Sequence, residues 1–172
     1  MARAQFTART WVFGDNMDTD LMLPGPYLWR SPADRAKVVF SANRPGWVDE
    51  VKQGDALVAG HNFGIGSSRP AALSLRTCGI GVVVAESINT LFHRTAMNFG
   101  LPAFECPGIS SLVQEGDSIT VDIDDWTVTN HRDGNVLPVT PAADTPLEIM
   151  LGGGVIELLE RRGLIAPRAA AS

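Results

Sequence analysis

Two short apolar runs, joined by a glycine-rich loop and a helical segment, constrain the fold of this chain more than any other feature. Residues 56–59 and residues 80–85 are apolar without alternation, and the second run is rich in Val, as buried parallel strands are. The loop at residues 60–66 and a helix predicted over residues 67–77 lie between them. A second predicted helix begins after the cap Ser87. This alternation predicts an α/β fold with a mainly parallel sheet flanked by helices.

The segments before these runs predict less regular structure. Residues 10–13 form the first readable strand, which the turn-forming residues 14–16 end. Residues 24–46 carry four prolines and little periodicity. We therefore expect long loops in this stretch, with a short helix over residues 32–40.

After Cys106 the pattern changes from strand–helix alternation to antiparallel hairpins. Ile119, Val121 and Ile123 alternate with polar residues, as in a strand with one buried face. Turn-forming residues follow at 124–125 and again at 133–135, and each pair of flanking strands can return on itself. The sequence therefore predicts hairpins added to the parallel sheet.

The C-terminal region predicts two helices separated by glycines. Residues 145–148 resemble a capping box with Pro at the first helical position. Three glycines at residues 152–154 should interrupt the helix, because each interior Gly costs about 1 kcal/mol relative to Ala. A second helix is predicted over residues 155–161. We expect one domain over residues 1–165 and a flexible tail over residues 166–172.

Composition excludes several classes of function. Of the 172 residues, 45% are hydrophobic and 19% charged, which is typical of a globular protein. A net charge of -5 disfavours nucleic-acid binding, and the longest apolar run is too short to cross a membrane. No secretory leader is recognisable, so a cytoplasmic protein is expected. Cys78 and Cys106 have no CxxC spacing and predict free thiols rather than a metal site in this chain.

The sequence GHNFGIGSSR, at residues 60–69, is a candidate anion site. Its glycines permit close approach of a ligand, and a helix N-terminus directly after it offers free N–H groups. Arg69 adds a planar fork suited to a carboxylate or phosphate. A plain tight turn, with Ser67 or Ser68 as the helix cap, is the structural alternative that composition leaves open.

The sequence GDNMDTD, at residues 14–20, brings three carboxylates into a short loop. Such a loop could bind a divalent cation or position a proton relay, and it could equally be a solvated acidic turn. Its opening is similar to that of a calcium loop, but the later Gly and Glu of an EF-hand are absent at the required offsets. From chemistry alone, a cation site, a proton relay and a solvated turn all remain open.

Together these two sequences resemble a known family. Residues 14–28 resemble the N-terminal signature of the archaeal-type small subunits of 3-isopropylmalate dehydratase and homoaconitase. Residues 60–69 resemble the GxNFGxGSSRE loop of the same family, which is also found in the swivelling domain of aconitase. Similarity continues through residues 78–80, 87–104 and 152–165. The resemblance implies an aconitase-type swivelling β/β/α domain.

The resemblance also implies the roles of individual residues. Ser67 would be the base that removes a proton from the carbon next to a carboxylate, and Arg69 would hold a substrate carboxylate. Asp20 would support a histidine of a large subunit, which would carry a [4Fe–4S] cluster and without which the chain would be inactive. Further substrate contacts are implied for four residues: Ser68, Thr19, Asn62 and Gly66. No metal ligand and no cofactor are expected in this chain, which could self-associate in isolation.

The substrate is expected to be a 2-hydroxy di- or tricarboxylic acid similar to isopropylmalate. Pro70 stands where the family commonly has Glu, and a loop of four residues, Tyr27, Leu28, Trp29 and Arg30, corresponds to the family's substrate-specificity loop. These positions leave dimethylmalate-, methylcitrate- or homoaconitate-like substrates open. A non-catalytic module that binds a carboxylate metabolite is the alternative outside the enzyme class.

Overall fold

The computed structural model describes residues 5–66 and 69–168, and within them it contains one seven-stranded sheet. The strand order is β4-β3-β2-β1-β5-β6-β7. Strands β1 to β4 are parallel to one another, and β5 to β7 form an antiparallel extension. The strands are β1 (Gln5–Val12), β2 (Asp55–Ala59), β3 (Ile80–Ala85), β4 (Ala103–Glu105), β5 (Ser118–Asp122), β6 (Thr127–Asn130) and β7 (Val136–Pro138). The predicted α/β fold and its added hairpins are confirmed.

Strand β1 joins the two halves of the sheet. Its first half, residues 5–9, pairs antiparallel with β5, and its second half, residues 10–12, pairs in parallel with β2. The strand predicted over residues 10–13 was therefore too short. Residues 5–9 alternate polar and apolar side chains, which is the pattern of a strand with one buried face and would have extended the predicted strand to its observed start.

Short helices cover the sheet and fill the long connections. A single 3-10 turn at Gly25–Tyr27 lies between α1 and α2. The helices are α1 (Thr19–Met22), α2 (Pro32–Ala36), α3 (Trp47–Glu50), α4 (Ala71–Cys78), α5 (Thr90–Asn98), α6 (Ile109–Leu112), α7 (Asp144–Leu151) and α8 (Val155–Arg161). The predicted short helix within residues 32–40 and the two C-terminal helices separated by glycines are confirmed.

The alternating side chains of the central strands build a core on each face of the sheet. On one face, Leu57 and Val83 pack with α4 and α5, which contribute Leu75 and Phe92. The long connection after α1 is fastened to this core by aromatic rings, and Phe40 stacks on Phe13 at a centroid distance of 4.3 Å. The opposite face packs against α6 and the hairpins, through a second buried set that includes Val58, Val84, Phe104, Ile109, Ile119 and Val128.

Two predicted helix starts before the hairpins were wrong. The helix expected from residue 67 begins at Ala71. Pro70, its N-cap, has ψ 46°, which is not a helical value, so the residue before Ala71 belongs to the loop. Ser87 does not cap α5. Asn89 does, since its side chain accepts a hydrogen bond from the N–H of Leu91 at 3.0 Å.

The capping box predicted at residues 145–148 was also wrong. Helix α7 starts two residues earlier than the box requires, and its N-cap is Ala143, which has no side-chain oxygen to offer. Cys78 and Cys106 are free, as expected. In the tail, Arg168 forms ion pairs with Glu157 and Glu160, whereas residues 169–172 lie outside the described residues.

The four parallel strands all deliver their carboxyl ends to one edge of the sheet. The loop after β1, the loop after β2 and the connection after β3 therefore meet there. In α/β sheets this edge is where ligands bind.

Of the helices in residues 5–66 and 69–168, none has both the length and the apolar content to span a bilayer.

Candidate active site

The two sequence motifs lie side by side at the carboxyl edge of the sheet. Their main chains are joined by hydrogen bonds that run in both directions. The N–H of Asn16 donates to the carbonyl of His61 at 2.7 Å, and the N–H of Gly64 donates to the carbonyl of Met17 at 2.8 Å. The N–H of Thr19 donates to the carbonyl of Ile65 at 2.9 Å. The loop after β1 and the glycine-rich loop after β2 therefore form one unit.

Side chains reinforce this pairing of the loops. The Asp15 carboxylate accepts a hydrogen bond from the N–H of His61 at 2.7 Å. The Asn62 amide donates to the Asn16 side-chain oxygen at 3.0 Å, and both residues have positive φ, a conformation that Asn tolerates better than most side chains. Ser87, which follows β3, accepts a hydrogen bond from the N–H of Asn62 at 2.9 Å.

Glycine is required where the second loop passes the first. Gly66 has φ +99°, and a Cβ on it would overlap the carboxylate of Asp18. That carboxylate caps α1 by accepting from the N–H of Asp20 at 2.7 Å. A side chain at Gly66 would therefore displace Asp18, the residue that caps α1.

Asp20 and Arg69 are brought into direct contact. Arg69 Nε lies 2.5 Å from Asp20 Oδ1, and the Arg69 side chain is only 17% exposed, whereas that of Asp20 is 52% exposed. The contact is an ion pair without the alignment of a hydrogen bond at Nε. Arg69 Nη1 also donates to the carbonyl of Leu23 at 2.9 Å. A carboxylate and a cationic fork thus share one surface, with the cation largely withdrawn from solvent.

The other implied substrate contacts differ in how far they are exposed. Asn62 and Gly66 are exposed on the same edge, but Thr19 is 3% exposed and can offer little side-chain surface to a ligand. Ser67 and Ser68, the implied base and its neighbour, lie outside the described residues. They fall between Gly66 and Arg69 along the chain.

Pro70 forms the entry to α4. Its carbonyl accepts hydrogen bonds from the N–H of Ser74 at 3.1 Å and from the Ser74 hydroxyl at 2.9 Å. Its ring fixes φ at -73°, which suits a helix start. The position where the family commonly has Glu is therefore occupied by a residue that begins the helix and adds no charge.

The segment that corresponds to the specificity loop is exposed beside the site. Trp29 is 96% exposed and Tyr27 is 38% exposed. The main chain of this segment is tied to α2, since the carbonyl of Leu28 accepts a hydrogen bond from Arg35 Nη1 at 3.3 Å. Tyr27 and Arg30 also border an open cavity of about 320 Å³. A large aromatic surface is thus exposed a few positions after Gly25, which faces the Arg69 guanidinium.

The carboxylates of the first loop do not converge on a cation. Asp15 binds the N–H of His61, Asp18 caps α1 and Asp20 contacts Arg69. Across residues 5–66 and 69–168, no three side chains of the ligating types come together. The three carboxylates therefore organise the loops and the arginine.

Glu86 is a residue of this edge that sequence reasoning missed. It follows β3, and its carboxylate accepts hydrogen bonds from the N–H groups of Gly108 at 2.6 Å and Ser110 at 2.8 Å, at the start of α6. Burial opposes its ionisation, but these hydrogen bonds outweigh burial and lower the pKa of Glu86 below 4.5. An acidic residue just before a helix can be recognised in a sequence as its cap. Glu86 is more than twenty positions from α6, so the sequence gives no such signal.

Comparison with known proteins agrees with the fold. The Aconitase C-terminal domain family matches residues 34–107, which include the glycine-rich loop. The 3-isopropylmalate dehydratase small subunit 1 of Methanopyrus kandleri is 41% identical, covering 94% of this chain and 94% of its own length. The isopropylmalate/citramalate isomerase small subunit of Methanocaldococcus jannaschii is 40% identical, covering 93% of this chain and 96% of its own.

The similarity extends to a solved structure. The crystal structure of 3-isopropylmalate dehydratase (LeuD) from Methanocaldococcus jannaschii superposes with a TM-score of 0.87 at 32% identity. The match covers 94% of this chain and 96% of that chain. Shared sequence and shared fold over nearly the full length show that this chain belongs to the family of 3-isopropylmalate dehydratase small subunits, which carry an aconitase-type domain.

Proposed function

We propose that this chain is the small subunit of an aconitase-type hydro-lyase that dehydrates or isomerises a 2-hydroxy di- or tricarboxylic acid. Its contribution is a serine base, Ser67, and a substrate arginine, Arg69. The large subunit contributes the [4Fe–4S] cluster, and the small subunit is inactive without it. The names of the relatives, which are small subunits of a dehydratase and of an isomerase, support this division of labour.

The observation that carries the proposal is the contact between Asp20 and Arg69. The two residues belong to separate motifs 49 positions apart, yet their side chains meet at 2.5 Å at the carboxyl edge of the sheet. The loops that hold them are joined main chain to main chain, so neither can be placed without the other. A plain solvated turn needs no such pairing, whereas a site built jointly from the two motifs does.

The residues of this chain bind the substrate and move its proton. Arg69 offers its guanidinium to a substrate carboxylate, which suits the planar fork. Ser67, two positions earlier, removes the proton from the carbon beside that carboxylate; a serine does this only when a nearby positive charge stabilises its alkoxide. When bound, the partner's cluster would supply Lewis-acid chemistry for the departure of the substrate hydroxyl. Asp20 supports a histidine of that partner.

Isopropylmalate-like acids are the proposed substrate class. Relatives at 40–41% identity are named for isopropylmalate and, in one case, also for citramalate. The loop of Tyr27, Leu28, Trp29 and Arg30 follows Gly25, which faces Arg69, and it presents a 96% exposed indole that can contact an apolar substrate substituent. We propose that this loop selects among 2-hydroxy acids that share the carboxylates and differ in that substituent.

The partner surface and the compartment follow from the same proposal. Leu21 and Trp29 are apolar and exposed at the site, and a large subunit closing over it would cover them. Cys78 and Cys106 are free thiols, which persist in a reducing cytoplasm. We propose a cytoplasmic heteromer in which the active site is completed between the two subunits.

Reconstitution with the large subunit from the same organism tests the proposal. The complex, with its cluster restored, should turn over 3-isopropylmalate, and activity on citramalate, dimethylmalate, methylcitrate and homoaconitate defines the substrate range. Ser67→Ala should lower kcat by at least about 100-fold, because a positioned base contributes that much. Ser118→Ala, an exposed serine on β5, is the matched control and should leave kcat unchanged.

Two results would contradict the proposal. One is an active complex in which Ser67→Ala has the kcat of Ser118→Ala, since the base would then be another group. The other is tight binding of these acids by the isolated chain together with no turnover in the complex. That second result would favour a carboxylate-binding module without catalysis.

A further inference from the structure

The segment from Asp20 to Gly25 surrounds the guanidinium of Arg69. Asp20 Oδ1 lies 2.5 Å from Nε. The carbonyl of Leu23 accepts from Nη1 at 2.9 Å. At Gly25 the absence of a side chain leaves room, since a Cβ there would lie 3.3 Å from Nη1 and 3.8 Å from Nη2. The Arg69 guanidinium therefore has a carboxylate beside Nε, a carbonyl bound to Nη1, and a glycine without a side chain next to both Nη atoms.

Each of these groups is itself fixed by local structure. Asp20 stands in the first turn of α1, where its N–H donates to Asp18. The helix ends at Met22, and its C-cap Leu23, which is 0% exposed, donates its N–H to the carbonyl of Thr19 at 3.0 Å. The 3-10 turn follows at once, and the N–H of Leu28 donates to the carbonyl of Gly25 at 3.1 Å. The surroundings of the guanidinium are thus built before any ligand binds.

The identity of residue 25 is explained by this contact and not by backbone conformation. Gly25 does not have positive φ, so the chain path would accept an alanine there. A Cβ at 3.3 Å from a guanidinium nitrogen is tighter than ordinary contact, and it would push the end of Arg69 sideways. Gly25→Ala is therefore a steric probe of the arginine that leaves the main chain alone.

The arrangement fixes which edge of the arginine is offered to a ligand. A guanidinium carries N–H groups on Nε and on both Nη atoms. Asp20 faces the Nε side, and Leu23 takes one N–H of Nη1, so a carboxylate ligand meets the outer Nη end. We propose that Asp20 and Gly25 are positioning residues that orient Arg69 for this end-on contact. The proposal rests on the proposed function, in which Arg69 binds a substrate carboxylate.

The first test measures how fast the Arg69 Nε–H exchanges with water in the isolated full-length chain. Arg69→Lys identifies the Arg69 Nε–H signal in proton–nitrogen NMR spectra by its disappearance. In the native chain this signal should exchange slowly with water, because Nε is shielded by Asp20. Asp20→Asn removes the charge that holds Arg69 in the ion pair, so Nε is free to turn towards solvent and its exchange should become faster on the order of tenfold. The matched control Asp49→Asn, at an exposed carboxylate of α3, should leave the signal unchanged.

The second test uses the reconstituted enzyme with 3-isopropylmalate. Gly25→Ala should raise KM on the order of tenfold while kcat stays within about threefold, since a misplaced arginine weakens binding in ground state and transition state alike. Gly14→Ala is the control: Gly14 also lacks positive φ, and no described atom lies within 4 Å of its Cβ position. Melting curves of both variants show whether folding is intact. If Gly25→Ala fails to fold, the NMR experiment on Asp20→Asn still tests the proposal.

The outcomes separate this proposal from the proposed function. Unchanged Nε–H exchange in Asp20→Asn, or an unchanged KM in folded Gly25→Ala, overturns the positioning role. An active enzyme whose KM is insensitive to Arg69→Lys instead contradicts the arginine assignment of the proposed function. Faster exchange together with a raised KM supports both.

Discussion

The Asp15 carboxylate accepts a 2.7 Å hydrogen bond from the main-chain N–H of His61, which fastens the loop after β1 to the loop after β2. The neighbouring Gly60 has no positive φ, but a Cβ on it would overlap that carboxylate. The close approach of two loops, and not backbone freedom, requires glycine at this position.

Gly60→Ala should therefore separate the two loops. We expect the free energy of unfolding to fall by about 1–3 kcal/mol, the usual cost of overpacking. Urea denaturation followed by circular dichroism measures it. Gly14→Ala, which adds the same methyl group in open space, should change stability by less than about 0.5 kcal/mol. Equal stability of the two variants would show that the loops do not depend on this contact.

Trp29→Ala should alter substrate choice without altering the fold. Because the side chain is 96% exposed, the isolated chain should keep its melting temperature. In the assembled enzyme, the ratio of kcat/KM for 3-isopropylmalate to that for citramalate should change on the order of tenfold, since the two differ in an apolar substituent. The control is Leu164→Ala, a 66% exposed apolar residue near the C-terminus. If both variants keep the native ratio, Trp29 does not select the substrate.

Asp55→Asn should destabilise the chain in a pH-dependent way. Burial opposes ionisation of Asp55, but hydrogen bonds from Arg9, from the N–H of Lys52 and from the Trp11 indole outweigh it and hold the pKa below 3.8. The ionised form therefore stabilises the fold above pH 3.8, and this contribution is lost as pH falls through the lower folded-state pKa. At pH 7 we expect a loss of about 2–4 kcal/mol.

Urea denaturation of Asp55→Asn at a series of pH values measures this. Its difference from the native chain should be largest near neutrality and shrink as the pH drops below 3.8. Asp49→Asn, at an exposed carboxylate, should give a small difference at every pH. A constant difference for Asp55→Asn would mean that charge at this position contributes nothing.

The two thiols should be unreactive in the native chain. Burial raises the pKa of Cys78 and of Cys106 to about 12, and for Cys106 the nearby Glu86 adds to the effect. At pH 8 both are then protonated, and the thiolate is the reactive form. Iodoacetamide should label the native chain at least about 100-fold more slowly than the urea-unfolded chain, as measured by mass spectrometry. Single Cys→Ala variants assign the signals, and rapid labelling of either native thiol would contradict the expectation.

The centre of the fold could be predicted because its local pattern and its tertiary role agree. Ile80–Ala85 and Val155–Arg161 were predicted to the residue, since apolar spacing and glycine boundaries coincide there. The helix starts were less predictable. Ser87 looked like a cap, but its hydroxyl is used by Asn62, and the neighbouring Asn89 caps the helix instead. Several local candidates compete for such a position, and a contact from another loop decides between them.

The candidate site was predictable in its residues and not in its geometry. The resemblance singled out Asp20 and Arg69, and the structure brings them together. Nothing local indicated that the Leu23 carbonyl would bind the same arginine or that Gly25 would leave room for it. These contacts join segments more than forty positions apart, and a sequence pattern contains no distance between such segments.

The division of β1 between two sets of neighbours has a consequence for synthesis on the ribosome. The parallel part of the sheet is complete once β4 has emerged, but Thr7 meets its partner Thr120 across 113 positions. Until β5 is translated, the first half of β1 has an unpaired edge beside a nascent chain, which is the kind of surface that associates with other chains. Gln5 and Thr7 are exposed and polar, so they add no apolar surface to that unpaired segment.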